Sequence, residues 1–366
     1  MVKELIKEKG YPSVTELFNG KPLTKDNHEE YRKELISLLE KYSYGITPKT
    51  QVKSVTGKII YHDEIAYAGK ATEEKIELTF TTDKFSYTFP VHMFVPNAVK
   101  KAPIFLHIAF RPAPDRYHPI EDIIDRGYAV AIMVYKDIVN DNGYEDFSDG
   151  VAPLFGTKKP RKDDEWGKIG MWAFCASRVL DYLINDRKDV DGNKAIVIGH
   201  SRLGKTALWC GALDTRFWGV VSNNSGYGGA ASARKHMGEK ITAFIEYGTY
   251  DWFCENYKLF KNEKEDFKPY DQSQLLALIA PRYLCVGSSK EDWGADPIAE
   301  YLTTCHASSV WEKLGETGLV YPDRLPEIGD HFKEGKIGYH LRANRHFFSV
   351  NDWRAYMDFF DKKLGR

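Results

Sequence analysis

The chain has 366 residues, of which 43% are hydrophobic and 28% are charged, and this balance indicates a soluble globular protein. Its 51 basic and 52 acidic residues leave a net charge of -1, which gives no electrostatic reason to expect nucleic acid or an anionic membrane as a partner. No run of about 18 apolar residues is present that could span a membrane.

The amino-terminal segment, MVKELIKEKGYPSV, carries charges but lacks the apolar centre of a signal peptide. The five cysteines are scattered without a C-x-x-C pair, and most lie among apolar residues, as is typical of buried free thiols in a reducing compartment. We therefore expect a cytoplasmic protein, or a secreted one if a leader has been removed.

The first predicted elements are one helix and a set of alternating strands. Residues 24–42 place leucines on one helical face and predict an amphipathic helix, with Thr24 or Asp26 as its N-cap. The three segments that follow alternate polar and apolar residues with a period near two, which predicts antiparallel strands at one edge of a sheet. These segments are 58–69, 75–83 and 86–96.

From residue 103 onward, short and continuously apolar strands alternate with helical segments. The predicted strands are 103–110, 128–135, 194–200, 220–226 and 283–289. The predicted helices are 119–127, 165–185, the segment after residue 201, 273–281, 295–315 and 351–365. Continuous apolar strands alternating with helices predict a parallel sheet that is covered on both faces.

The complete pattern predicts an α/β-hydrolase fold, with a mostly parallel central sheet, helices on both faces and antiparallel strands at the amino-terminal edge. No linker, repeat or low-complexity tract divides the sequence, so we expect one domain over residues 1–366. Within it, residues 1–50 form a helical extension, and residues 227–270 form an insertion that lines the pocket.

A lone serine stands at the corner between a predicted strand and a predicted helix, in VIGHSRLGK at 197–205. This is where an α/β-hydrolase presents its nucleophile, usually within G-x-S-x-G. Gly199 fits that pattern, but Leu203 stands where the second glycine is expected, and Gly204 comes one residue later. Ser201 is therefore the candidate nucleophile, and its alternative role is to cap the helix.

In this fold the nucleophile is followed along the chain by an acid and then by a histidine. His346 lies between the last predicted strand and the last helix, where the catalytic histidine is expected. His340, six residues earlier, lies in the strand-like segment IGYHLR, which favours a structural role for it. An imidazole can deprotonate a serine hydroxyl near neutral pH, so we favour His346 as the general base.

The acid is expected in the loop KEDWGADP, which follows the strand YLCVGSS. This loop offers Glu291, Asp292 and Asp296, and Asp296 is placed to cap the helix that Pro297 opens. Asp292 is favoured as the carboxylate that fixes the imidazole tautomer and stabilises the imidazolium. The choice among the three acids stays open at this point.

Several motifs resemble those of the glucuronoyl esterase family of carbohydrate esterases and its acetylxylan esterase-like bacterial relatives. The shared motifs are G-x-S-R-x-G-K at 199–205, NNSGYGGAA at 223–231, YDWFCENY at 250–257, DQSQLLALIAPR at 271–282, SSKEDWGADP at 288–297 and RHFFSVNDW at 345–353. They extend over most of residues 190–360, and the family's late second glycine accounts for Gly204.

The resemblance implies roles for four further residues. Arg202 would stabilise the oxyanion through its guanidinium and its backbone N–H. Lys205 and Glu255 would hydrogen-bond the sugar, and Trp293 would border the sugar pocket. The alternative for the charged residues is a solvated position on the surface.

The sequence departs from the family at one position. Many glucuronoyl esterases carry the triad acid in E-S-G-x-G-G, and Asn224 occupies that slot here, in NNSGYGG. An asparagine can orient a histidine or contact substrate but cannot balance its positive charge, so the acid role moves to Asp292. The departure leaves both glucuronoyl esters and O-acetyl sugars open as substrates.

These observations predict a serine esterase that hydrolyses small-molecule or oligosaccharide esters through an acyl-enzyme. Asn224 also raises the alternative of a catalytically silent carbohydrate-binding relative, and the fold permits a peptidase or a dienelactone-type hydrolase. His331, His340 and His346 lack metal-binding spacing, and no nucleotide-binding motif occurs. We therefore expect no metal and no cofactor.

Overall fold

The computed structural model describes residues 1–143, 146–157, 160–235, 237–262, 264, 266 and 268–366. Within these residues, ten strands form one mixed sheet: β1 (Val52–Ile65), β2 (Ala71–Thr82), β3 (Ser86–Pro96), β4 (Ala102–Ala109), β5 (Ala129–Val134), β6 (Val190–His200), β7 (Gly219–Asn223), β8 (Tyr283–Ser289), β9 (His331–Phe332) and β10 (Ile337–Arg342).

The α-helices described are α1 (Val2–Glu8), α2 (His28–Leu39), α3 (Ala66–Gly69), α4 (Ile120–Asp125), α5 (Lys168–Asn185), α6 (Arg202–Leu213), α7 (Ile241–Glu246), α8 (Gln272–Ala277), α9 (Pro297–Lys313) and α10 (Val350–Leu364). Short 3₁₀ turns include Tyr250–Trp252 and Glu255–Phe260.

The sheet has the strand order β1-β2-β3-β5-β4-β6-β7-β8-β10-β9. Strands β1, β2 and β3 pair antiparallel at one edge, and β3 is also antiparallel to β5. The strands from β5 through β4, β6, β7 and β8 to β10 are parallel, and β9 pairs antiparallel with β10 at the far edge. The predicted sheet and its antiparallel amino-terminal edge are confirmed.

The apolar residues of β6 divide between the two faces of the sheet. Ile196 and Ile198 pack in a cluster with Trp353 and Phe360 of α10, whereas Val197 belongs to the larger cluster on the opposite face. Successive side chains of a strand point to opposite faces, so an uninterrupted apolar run supplies both clusters. Helices therefore cover the sheet on both sides, as the continuous apolar strands predict.

The first predicted helix begins later than its sequence pattern and continues as a π-helical turn over Glu40–Tyr44, and its predicted cap is wrong. Helix α2 begins at His28, so neither Thr24 nor Asp26 is the N-cap, and Asn27 holds that position without a side-chain cap. The Asn27 side chain instead accepts a hydrogen bond from the backbone N–H of Thr24 at 2.8 Å. The Oδ1 atom of Asn27 therefore stabilises the turn before the helix and does not cap the helix.

The five cysteines are free and buried. Across the part of the chain that the structure describes, no helix combines the length and apolar character needed to cross a membrane. Within the same part, no group of three or more His, Cys, Asp or Glu side chains is arranged to hold a metal ion.

Candidate active site

Ser201 occupies the turn between β6 and α6 in a strained backbone conformation. Its φ is 58° and its ψ is -129°, a region that non-glycine residues rarely adopt. The turn is fixed because the backbone N–H of Ser201 donates to the carbonyl of Asn223 at 2.9 Å, and the N–H of Lys205 donates to the carbonyl of Ser201 at 3.1 Å. This is the geometry of a nucleophile elbow.

Two glycines explain why the elbow departs from G-x-S-x-G by one position. A Cβ atom at Gly199 would lie 2.1 Å from the carbonyl oxygen of Leu203, so only glycine fits there. A Cβ atom at Gly204 would lie 3.0 Å from the Cβ of Ser225, where the elbow helix passes close to the turn after β7. The elbow helix therefore approaches the turn after β7 at Gly204, one residue later than in G-x-S-x-G. Leu203, which holds the usual glycine position, is fully buried in the core.

His346 and Asp292 are joined by a short hydrogen bond. The Nδ1 atom of His346 lies 2.6 Å from Oδ2 of Asp292, and the side chains are 45% and 6% exposed, respectively. An ionised carboxylate only accepts hydrogen bonds, so Nδ1 carries the proton, and Nε2 of the neutral ring is left with its lone pair. This leaves an imidazole that can accept a proton.

The environment of Asp292 favours its charged form. Burial alone would raise the pKa of this carboxyl, but hydrogen bonds from His346 and Asn224 bring the pKa below its usual value. The Nδ2 atom of Asn224 donates to Oδ2 of Asp292 at 2.6 Å and to Oγ of Ser289 at 2.8 Å. Asn224 therefore orients the carboxylate rather than the imidazole.

Among the other candidates, His340 and Asp296 have structural partners, and the Glu291 carboxylate does not bond His346. His340 is buried in β10, with its Nε2 2.8 Å from Oδ1 of Asp352. Asp296 caps α9 by accepting from the N–H of Ala299 at 3.0 Å, as its position before Pro297 predicts. The backbone N–H of Glu291 donates to the carbonyl of Asn344 at 3.1 Å, and its carboxylate has no hydrogen bond to His346.

Ser201 and His346 both line two cavities that meet at the elbow. The larger, of about 540 Å³, is walled by aromatic and basic side chains, namely Phe110, Arg111, Tyr117, Tyr135, Lys136 and Arg202. The smaller, of about 210 Å³, is walled by polar groups that include Lys205, Asn224, Glu239 and Asp292. An ester whose carbonyl lies at Ser201 would extend one side into each cavity.

Arg202 and Lys205 each line one of the two cavities at Ser201. Arg202 lines the larger cavity, and its guanidinium donates to the carboxylate of Asp141. Lys205 lines the smaller cavity and donates to the carbonyl of Ser225 at 2.7 Å. Burial lowers the pKa of Lys205 to about 8.

Two residues implied by the resemblance lie away from these cavities. The carboxylate of Glu255 accepts from Arg161 at 3.0 Å and from Lys258 at 2.6 Å, and Glu255 lines neither cavity. The ring of Trp293 is 67% exposed and borders a separate crevice beside Met237. Their sugar-binding roles stay predictions.

Sequence reasoning missed His200, which precedes the serine. Its ring centroid lies 4.5 Å from that of His346, and its Nδ1 lies 2.7 Å from Oδ1 of Asn223. Burial lowers the pKa of His200 to about 3, so the ring stays neutral. Because His200 is neutral, it adds no second positive charge beside His346 when His346 is protonated. The only signal in the sequence was an imidazole inside the elbow motif.

Sequence reasoning also missed Glu300, which lies behind the smaller cavity. Its carboxyl accepts from Oγ of Ser288 at 2.6 Å and from the N–H of Gly226 at 2.9 Å. Burial raises the pKa of Glu300 to about 8, so the group is mainly neutral at pH 7. It thereby ties α9 to the loop after β7, which carries the carbonyl that Lys205 contacts.

The sheet order, the serine elbow after β6 and the histidine–carboxylate pair in the loops after β10 and β8 define the class of this protein as an α/β-hydrolase. Comparison with known proteins identifies the family. The family model described as "Glucuronyl esterase, fungi" matches residues 78–315. The chain belongs to the glucuronoyl esterase family and is a carbohydrate esterase, as the motifs predicted.

Among related sequences, a carbohydrate esterase from an unknown prokaryotic organism is 33% identical over 399 aligned residues, which cover 96% of this chain and 89% of the relative. The 4-O-methyl-glucuronoyl methylesterase of Hypocrea jecorina is 32% identical over 185 residues, covering 48% of this chain and 37% of that enzyme.

Among solved structures, the glucuronoyl esterase of Solibacter usitatus has a TM-score of 0.86 at 32% identity, covering 95% of this chain and 96% of that structure. A promiscuous esterase of carbohydrate esterase family 15 from a marine bacterial metagenome has a TM-score of 0.85 at 31% identity, covering 96% of each chain. The fold is therefore shared over nearly the whole length.

Proposed function

We propose that this carbohydrate esterase hydrolyses esters of glucuronic acid, with Ser201 as nucleophile, His346 as general base and Asp292 as the acid of the triad. The observation that carries the proposal is the 2.6 Å hydrogen bond between Nδ1 of His346 and Asp292, beside a serine held on a strained elbow. A serine hydroxyl is a weak nucleophile until a positioned base takes its proton.

The proposed reaction has two halves. Nε2 of His346 takes the proton of Ser201 as Oγ attacks the ester carbonyl, and the imidazolium then protonates the departing alcohol. Water, deprotonated by the same imidazole, attacks the acyl-enzyme and releases the acid. Asp292 stabilises the imidazolium in both halves, because hydrogen bonds from His346 and Asn224 keep the Asp292 carboxylate ionised.

Negative charge develops on the carbonyl oxygen in each tetrahedral intermediate. The backbone N–H of Arg202 lies at the first position of α6, where the helix N-terminus is electropositive, and Arg202 lines the larger cavity together with Ser201. We assign these two groups to the oxyanion. Groups that are already aimed at the developing charge need no reorganisation during the reaction.

The polar walls of the smaller cavity support a glucuronoyl group rather than an acetyl group as the acyl portion. Lys205 and Glu239 line this cavity. The Lys205 ammonium uses one of its three donors on the carbonyl of Ser225, and a carboxylate accepts several hydrogen bonds, so both groups can pair with the hydroxyls of a sugar ring. The methyl of an acetyl group would displace water from these polar groups without replacing the hydrogen bonds that the water makes to them. The larger cavity, with its aromatic wall, would then take the alcohol.

The names of relatives support the same substrate class, since one is a 4-O-methyl-glucuronoyl methylesterase and another is titled a glucuronoyl esterase.

The test is to measure hydrolysis of benzyl glucuronate and of p-nitrophenyl acetate by the wild-type protein and by Ser201→Ala. We expect a much higher kcat/KM for the glucuronate ester, and loss of both activities in the variant.

Equal activity of wild type and Ser201→Ala would exclude Ser201 as the nucleophile. Preference for the acetyl ester, with Ser201 still required, would instead favour an acetyl group as the acyl portion of the substrate. Binding of glucuronate-bearing oligosaccharides without turnover of either ester would identify the silent carbohydrate-binding relative.

A further inference from the structure

Arg202 is held on two sides by residues that the triad does not use. Its Nη1 donates to Oδ2 of Asp141, whose side chain is only 1% exposed. Its Cζ lies 4.3 Å from the centroid of the Trp252 ring, within the range of a cation–π contact. Trp252 therefore contacts the guanidinium through its ring, and Asp141 contacts it through its charge.

These two residues are also bonded to each other. The Nε1 atom of Trp252 donates to Oδ1 of Asp141 at 2.7 Å, so each oxygen of this carboxylate has a fixed partner. Each of these three groups contacts the other two, and we call them the Arg202 clamp: Asp141, Trp252 and the guanidinium of Arg202. An arginine side chain has many rotamers, and such a set removes most of them before substrate binds.

A buried ion pair of opposite charges lies next to the Arg202 clamp. Lys168 and Asp251, both fully buried, form an ion pair at 2.7 Å. Burial, together with the nearby charge of Asp141, raises the pKa of Asp251, and Lys168 opposes that rise. The adjacent pair thus adds no net charge when it is formed, and Asp141 remains the carboxylate that faces Arg202.

The clamp joins two segments that lie outside the sheet. Asp141 follows β5, and Trp252 lies between β7 and β8, within residues 227–270, which the sequence predicts to be an insertion. The same indole ring lies 5.9 Å from Nζ of Lys205, so Trp252 contacts Arg202 and lies near Lys205 as well. Trp252 thereby links the segment between β7 and β8 to the first residue of the elbow helix, Arg202.

We propose that Asp141 and Trp252 are positioning residues, which hold the guanidinium of Arg202 where the oxyanion forms. The proposal rests on the function proposed above, in which Arg202 stabilises that charge. Asp141→Asn keeps the shape of the side chain but removes the charge, and Trp252→Phe keeps an aromatic face but removes the Nε1 donor. Neither residue is assigned a contact with substrate.

A double-mutant cycle separates positioning from general structural damage. Loss of one oxyanion donor typically lowers kcat about 100- to 1,000-fold. We expect Asp141→Asn to lower kcat for benzyl glucuronate roughly 10- to 100-fold with KM nearly unchanged, and Trp252→Phe to lower it by a smaller factor. In an Arg202→Met background, each substitution should change kcat by less than about twofold.

Asp149→Asn is the matched control, because this carboxylate lies in the same loop and accepts from the backbone N–H of Asn140 at 3.2 Å. It should keep the wild-type kcat, and thermal unfolding should show that each variant folds. Equal losses in the wild-type and Arg202→Met backgrounds would overturn the proposal, as would full activity of Asp141→Asn. If Arg202→Met itself has no effect while Ser201→Ala is inactive, the clamp has no catalytic role, but the esterase mechanism stands.

Discussion

The Nδ1 atom of His346 lies 2.6 Å from Oδ2 of Asp292, although 54 positions separate the two residues. They meet because β8 and β10 are parallel neighbours, so the loops that leave their carboxyl ends lie side by side. Asn224 reaches the same carboxylate from the end of β7, the next strand in the sheet. The catalytic pair thus depends on strand order rather than on proximity along the chain.

The first prediction separates the two aspartates of the loop after β8. Asp292→Asn should lower kcat on the order of 10⁴-fold, because the amide no longer stabilises the imidazolium and can favour the wrong tautomer. Asp296→Asn should keep most of the activity, since asparagine is also a good N-cap. Steady-state kinetics of both purified variants tests this, and similar losses in both would remove Asp292 from the triad.

The second prediction concerns Lys205 and selectivity between acyl groups. Lys205→Met keeps a long apolar side chain but removes the ammonium group from the smaller cavity. We expect kcat/KM for benzyl glucuronate to fall about 10- to 150-fold, because losing one charge-assisted hydrogen bond costs roughly 1.5–3 kcal/mol. Hydrolysis of p-nitrophenyl acetate should change little. A parallel fall for both esters would show that Lys205 acts on the elbow and not on the sugar.

The third prediction concerns the pH dependence of stability. Burial raises the pKa of Glu300 to about 8 in the folded protein, so the folded state holds a proton that the unfolded state releases above its lower pKa. The resulting stabilisation is complete below that unfolded pKa and is lost as the pH rises through about 8.

Glu300→Gln replaces the group with a neutral one of the same shape and should remove this pH dependence. Urea unfolding of wild type and variant at pH 5, 7 and 9 measures it. Wild type should lose stability relative to the variant as the pH rises. If the two free energies of unfolding stay parallel over this range, Glu300 does not bind the proton.

The sequence could predict the elements that local patterns determine. Continuous apolar runs identified the central strands, because both faces of those strands are buried, and the strand–serine–helix corner identified the elbow. The cap of α2 was wrong because Thr24 and Asp26 both have capping chemistry, and only the structure shows that the helix begins later, at His28.

Residues that reach the site through tertiary contacts were not predictable in this way. Asp141 and Glu300 lie in segments without a recognisable motif, and only the fold brings them to Arg202 and to the loop after β7. Glu255 does lie within a family motif, but Arg161, 94 positions earlier, binds its carboxylate. A motif fixes a residue's neighbours along the chain and not its partners in space.

The most direct test of the mechanism is to locate the reactive serine with a fluorophosphonate, which phosphonylates an activated serine hydroxyl, and to follow both the mass of the protein and its esterase activity. We predict one phosphonyl group per chain, attached to Ser201 and absent in Ser201→Ala, with activity lost in proportion to labelling. Labelling of a different residue, or full activity in protein whose Ser201 is completely labelled, would contradict the account.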